Sequence, residues 1–224
     1  MRNRLPWTPG LDRFGALLFF LLVAFLFSGA TDHEWPTIIG SFANLASLVV
    51  GFSSTGLRDN GRRTAFFAAL GVIGIVLISV FEPTSTAAGV GALLQALVLG
   101  AILGALVRRV LQHQEVTLAT ILGVISAYVL IGLIFAWIYL AMVGFQHEAV
   151  LDPPSTGLPV YYSFVVISTL GFGDIHPIDD ISQRISALEA VVGQIFLATV
   201  VARFVSLYGK TPPAHREASE PETD

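Results

Sequence analysis

Apolar residues in this chain come in long blocks rather than at alternating positions. Six blocks, at about 14–30, 37–54, 64–81, 86–107, 116–143 and 181–207, are separated by polar segments. At about 1.5 Å per helical residue, and allowing for tilt, each can cross about 30 Å of hydrocarbon. A half-buried strand would alternate and a surface helix would keep one polar face; these blocks do neither. The pattern predicts an all-α membrane protein with six transmembrane helices. The one long connection, 144–180, holds a shorter apolar stretch at 160–168, Val-Tyr-Tyr-Ser-Phe-Val-Val-Ile-Ser. At about half the spanning length, it predicts a re-entrant half-helix. Pro159 suits its first position, where a missing N–H costs nothing.

Composition strengthens this reading. Of 224 residues, 54% are hydrophobic and 12% charged, about half the charged share of a soluble domain. The absence of cysteine excludes disulfides and thiolate metal sites. Charge placement then orients the chain. With six alternating spans, Arg2, Arg4, Arg13, Arg58, Arg62, Arg63, Arg108, Arg109, Arg203, Lys210 and Arg216 share one side, and only Arg184 falls opposite. The other side carries Asp32, Glu34, Glu82, Glu148, Asp152, Asp174, Asp179 and Asp180. Both termini are therefore expected in the cytoplasm of a multi-pass cell-membrane protein. Arginine over lysine, with much Ala, Gly and Leu, leans toward a bacterial inner membrane. The first block also fits a signal peptide ending at Ser28-Gly29-Ala30. A retained helix is the reading adopted, and cleavage would leave the other spans unchanged.

Residues 168–174 read Ser-Thr-Leu-Gly-Phe-Gly-Asp. Glycines at alternate positions permit backbone angles that a Cβ opposes. Such a loop can aim successive carbonyls at one axis, where symmetry copies replace the water shell of a cation. The stretch resembles the selectivity filter of the potassium-channel family, commonly Thr-Val-Gly-Tyr-Gly-Asp, with Leu170 for Val and Phe172 for Tyr. The resemblance covers the last two blocks and the segment between them. It implies potassium ligands in the main-chain carbonyls of Thr169, Leu170, Gly171 and Phe172. The Thr169 hydroxyl would add an inner ring, Gly173 would complete the loop and Asp174 would close its mouth. Side chains of Leu170 and Phe172 are expected to pack on the half-helix. One loop supplies one quadrant, so a homotetramer is expected. Potassium is then the permeant ion, and no organic cofactor is implied.

Further roles follow from the resemblance. Tyr162, within the aromatic pair Tyr161-Tyr162, would support the filter. Phe172 lacks the phenol hydroxyl that braces the Tyr form. Val165 is apolar where some prokaryotic members place a Glu. Both departures predict a softer filter, prone to inactivation. Gly193 stands where relatives carry a gating hinge, although close helix packing explains a glycine equally well. Gln194, Leu197, Val201 and Val205, at three- and four-residue steps, would line an apolar cavity that gates by dewetting. Glu189 is the one acid inside a span, where an ionisable group is costly and by default functional. It either braces the half-helix behind the filter or sits hydrated near the outer interface, and Arg184 is near enough in sequence to pair with it. Asp174, Asp179 and Asp180 would concentrate cations at the mouth, and His147 and His176 could add pH sensitivity.

The first four blocks do not form a voltage sensor, which needs basic residues about every third position in the fourth. That block has only Arg108 and Arg109, at its cytoplasmic end. Gly100 and Gly104 suggest a close helix contact, and Asn44 a hydrogen bond between helices. The chain thus divides into a cytoplasmic N-terminus (1–13), a four-helix membrane domain (14–109), a pore domain (110–208) and a polar tail (209–224) after Pro212-Pro213. That tail is too short to fold alone, which leaves a separate regulatory subunit as an open partner beside the lipid bilayer. The expected activity is passive, potassium-selective conduction; the alternative is a weakly selective monovalent cation channel. A secondary transporter would show internal repeats or interrupted helices, and none is visible. No nucleophile–base set suggests an enzyme, and nothing suggests nucleic-acid binding.

Overall fold

The computed structural model describes residues 9–27, 85–112, 117–154 and 158–208. The elements are α1 (Pro9–Phe27), α2 (Thr86–Gln112), α3 (Leu118–Gln146), β1 (Leu151–Asp152), α4 (Leu158–Ile167), β2 (His176–Pro177) and α5 (Asp180–Tyr208). The predicted spans at 37–54 and 64–81, with Asn44, and the tail lie outside the described residues. Among those described, Thr86–Arg108, Leu118–Gln146 and Asp180–Ser206 are long and apolar enough to cross a membrane. The apolar part of α1, Gly15–Leu26, is shorter. The chain is mostly helical, as expected of an all-α membrane protein.

Local chemistry places the helix ends. Thr117 caps α3 by accepting the Thr120 N–H at 3.3 Å, satisfying one otherwise orphaned donor. At the far end α3 runs three residues beyond the predicted 143. His147 closes it with φ 58°, its N–H bonded to the Val143 carbonyl at 2.9 Å. Asp179 caps α5: its Oδ1 accepts the N–H groups of Ile181 at 2.8 Å and Ser182 at 2.9 Å. Ser182 returns the contact, accepting the Asp179 N–H at 3.3 Å, as in a capping box. Partial burial works to raise the Asp179 pKa, but these hydrogen bonds outweigh it and hold the carboxyl below its ordinary value.

Helix α3 is the hub, packed on α1 and α2 and on α4 and α5. Leu17 and Leu21 of α1, Leu99, Ile102 and Leu106 of α2, and Leu130 and Leu133 of α3 form one core. Phe25 of α1 reaches Phe164 of α4, with ring centroids 4.4 Å apart. Small residues let α2 and α3 touch backbone to backbone. A Cβ on Gly144 would overlap the Gly89 backbone, and one on Gly89 would lie 3.0 Å from the Ala141 carbonyl oxygen.

The predicted Gly100–Gly104 contact is not made among the described residues, where a Cβ on either glycine would meet nothing within 4 Å. Both lie about 100–140° around α2 from Leu99, off the stripe that meets α3. A second core gathers Ile131, Phe135, Tyr139, Val150, Leu151, Tyr162, Ile167 and Ile175 around α4. A short antiparallel ribbon ties the loop after α3 to the segment before α5. It pairs Leu151 with Pro177 and Asp152 with His176, and the Ile178 N–H extends it to the Val150 carbonyl at 3.1 Å.

Candidate functional site

Helix α4 is ten residues long and is gripped from two sides. Gly132 of α3 lets it approach, since a Cβ there would lie 2.9 Å from the Phe164 ring. The Ser163 hydroxyl meets the Gly132 carbonyl at 2.6 Å. At the C-terminus of α4, Ile167 is fully buried. Tyr128 of α3 donates its hydroxyl to the Ile167 carbonyl at 3.0 Å, and its ring stacks on Phe196 of α5 at 5.9 Å. Gly193 of α5 lies against the same residue: a Cβ would come 2.6 Å from Ile167 Cγ1 and 2.8 Å from its carbonyl oxygen. The glycine at 193 therefore has a packing reason. Helix α5 runs unbroken through it.

Beyond Ile167 the backbone turns out of the helix, with the Thr169 N–H on the Val166 carbonyl at 2.9 Å and the Leu170 N–H on the Val165 carbonyl at 3.0 Å. The next residues alternate in hand. Thr169, Gly171 and Gly173 have φ of 59°, 56° and 78°, while Leu170 and Phe172 between them keep negative φ. In a strand successive carbonyls point to opposite sides. Alternation of positive and negative φ can instead turn consecutive peptide units the same way. Glycine carries the left-handed angle without penalty, whereas Thr169 pays about 1–2 kcal/mol. Among the described residues a Cβ on Gly171 or Gly173 would meet nothing within 4 Å, so within them backbone hand, not crowding, calls for glycine there.

The sequence-predicted residues fall into place unevenly. The Thr169 hydroxyl donates to the Ser168 carbonyl at 2.7 Å, leaving its oxygen lone pairs to accept a cation. Leu170 and Phe172 are 61% and 64% exposed. They do not pack on the half-helix of their own chain, because the loop stands at its edge with no element beyond it among the described residues. Asp174 is fastened by the Tyr161 hydroxyl at 2.8 Å and by the Ile175 N–H at 3.1 Å. The direct brace is thus Tyr161, not Tyr162. Neighbouring residues on a helix diverge by about 100°, and Tyr162 faces inward. Its hydroxyl donates to Ser186 Oγ at 2.7 Å, and its ring meets Tyr139 edge-on at 5.3 Å.

Glu189 is fully buried, so it does not sit hydrated at an outer interface. It touches Ser163 of α4 and accepts the Tyr139 hydroxyl at 2.8 Å. The expected pairing with Arg184 is not made. Five residues turn the helix by about 140°, and Arg184 is exposed on another face. Gln194, Leu197, Val201 and Val205 share one exposed stripe of α5. His176 Nε2 lies 3.6 Å from Asp152 Oδ2 on the ribbon, and His147 Nε2 lies 3.3 Å from Thr86 Oγ1. Sequence reading passed over Tyr128, Tyr139, Ser163 and Ser186. Their signal was available: a hydroxyl within an apolar run must find a partner on another helix.

The fold is that of a helical membrane protein in which two long apolar helices flank a half-length helix and a glycine-alternating loop. Residues 124–210, covering most of α3 and all of α4, the loop and α5, match the family model described as an ion channel. The match spans less than half of the chain and supports an ion channel. No curated protein and no solved structure matches the chain.

Proposed function

We propose that this chain is one quarter of a potassium-selective channel that conducts passively as a homotetramer. The observation that carries the reading is the alternation of backbone hand from Thr169 to Gly173, in a loop held between two apolar helices. Carbonyls of Thr169, Leu170, Gly171 and Phe172 that share a side are suited to replace the hydration shell of a dehydrated ion. One loop offers only one side of such a cage, and four copies close it. Asp174 would stand at the mouth, Gly193 would serve as a hinge as well as a contact, and the exposed α5 stripe would line the cavity below. The C-terminal end of α4, with its partial negative charge, would favour a cation there.

Purified protein in liposomes provides the test. Potassium flux should exceed sodium flux, and Gly171→Ala should abolish it by penalising the left-handed angle. Equal passage of sodium and potassium would favour the weakly selective cation channel, which the missing phenol hydroxyl at Phe172 also favours. No flux in any cation gradient would refute both.

A further inference from the structure

We infer that Glu189 is a neutral carboxylic acid whose O–H, given to Ser163, locks α4 to α5. The argument is an inventory of hydrogens. Ser163 Oγ has one hydrogen and two oxygen neighbours, the Gly132 carbonyl at 2.6 Å and Glu189 Oε1, in closer contact still. A carbonyl has no hydrogen to give. The surrounding hydroxyls are already committed. Tyr139 gives its hydrogen to Glu189 Oε2 at 2.8 Å, Tyr162 gives its own to Ser186 Oγ at 2.7 Å, and Ser186 passes its hydrogen to the Ser182 carbonyl at 2.7 Å.

With each hydrogen used once, the Ser163–Glu189 contact holds none unless the acid brings it. A protonated Oε1 completes the set: Glu189 donates to Ser163, and Ser163 donates to Gly132. An ionised Glu189 would pull the Ser163 hydrogen to itself and leave the Gly132 carbonyl without that donor. It would also be a fully buried charge with no cationic partner among the described residues, which low-dielectric surroundings penalise strongly.

The titratable groups packed nearby do not change this. Tyr139 and Tyr128 come from α3, the latter bonded to the Ile167 carbonyl at 3.0 Å, and Tyr162 comes from α4. Arg184, on the same helix as Glu189, is exposed on another face. One hydroxyl, Ser163, thus links α3 to α5 through α4, six residues before Thr169. Losing the Glu189 proton to water would release the Gly132 side of that link. Glu189 is a positioning residue. Its consequence for flux rests on the channel reading, but its protonation does not.

Infrared spectra of the full-length protein in lipid vesicles at neutral pH test the chemistry. The carbonyl stretch of a protonated carboxyl should be present in the wild type and absent from Glu189→Gln. Its absence from the wild type would overturn the inference, whether or not the vesicles conduct. Flux tests the positioning. In Glu189→Gln the amide N–H replaces the acid O–H toward Ser163, and the amide oxygen still accepts from Tyr139. This variant should keep potassium flux within about twofold and lose the alkaline decline expected of the wild type. Glu189→Ala, which strands both partners, should lose flux on the order of tenfold or more. A Gln variant as impaired as the Ala variant, or a pH profile identical to the wild type, would overturn the positioning role. A wild type with the infrared band but no flux would remove the channel reading and leave the neutral acid standing.

Discussion

Replacing Gly193 by alanine separates the two meanings of that glycine. The new Cβ would stand 2.6 Å from Ile167 Cγ1 and 2.8 Å from the Ile167 carbonyl oxygen. Ordinary contact begins near 3.4 Å, so one side must yield by about 0.8 Å in a close-packed interior. The Ile167 side chain is fully buried, and its carbonyl is held by Tyr128 at 3.0 Å, so neither swings away freely. Overpacking of this kind costs about 1–3 kcal/mol. Alanine returns about 1 kcal/mol of helix propensity. With backbone among the obstacles, the upper part of the overpacking range applies, and a net loss of about 1–2 kcal/mol is expected. Thermal or denaturant unfolding of the purified protein measures it. Ile167→Ala in the same chain should recover part of the loss, because it removes Cγ1 and leaves the carbonyl. Such coupling is read from a double-mutant cycle. A pure hinge predicts the opposite: Gly193→Ala would stabilise the helix and alter only the open fraction. An alanine variant as stable as the wild type, with no coupling to Ile167, would refute the contact.

Other outcomes are expected from the same geometry. Tyr161→Phe removes the donor to Asp174 and should speed current decay, while Phe172→Tyr should slow it; decay unchanged in both would end the idea of a softly braced filter. Gly144→Ala drives a Cβ into the Gly89 backbone and should cost about 3 kcal/mol or abolish folding. Gly100→Ala, where a Cβ meets nothing within 4 Å among the described residues, should be neutral or stabilising by up to about 1 kcal/mol, and paired unfolding curves distinguish the two. Asp179→Ala removes the α5 cap and should cost about 1 kcal/mol. Because the folded Asp179 carboxyl lies below its ordinary value, its contribution is full above the unfolded pKa of about 3.9 and fades as pH falls through the folded value. Wild type and variant should therefore converge in acid and keep a constant gap near neutrality.

The length of three apolar blocks was readable because lipid thickness dictates it. The stretches at 86–107, 116–143 and 181–207 correspond to α2, α3 and α5 within a few residues, and 160–168 corresponds to α4. Letters alone also singled out the loop at 169–173, since alternate glycines anticipate alternate backbone hand. Rotation about each helix axis was not readable. A helix apolar all round has no polar face to orient it, so its partners decide which residues turn inward. Tyr161 was therefore passed over for Tyr162, the α2–α3 contact at Gly89 and Gly144 was not foreseen, and Arg184 was expected beside Glu189. Each is an error of angle, not of position along the axis.

The missing angular information lay in the hydroxyls. Tyr128, Tyr139, Tyr162 and Ser163 occupy otherwise apolar helices, and each gives its hydrogen to an oxygen on another one, Ser186 receiving that of Tyr162. Dispersion and small-residue contacts tolerate a rotated helix with modest loss. A hydroxyl in lipid does not, because rotation strands it without water to replace the partner. Two or three such bonds between α3, α4 and α5 fix their mutual rotation more tightly than the many apolar contacts beside them. They converge on the half-helix rather than on the loop it precedes. The loop can therefore keep strained angles at Thr169, because the helix that launches it is anchored on both flanks. Weakening those anchors should disturb the loop more than an equal loss of packing between α2 and α3.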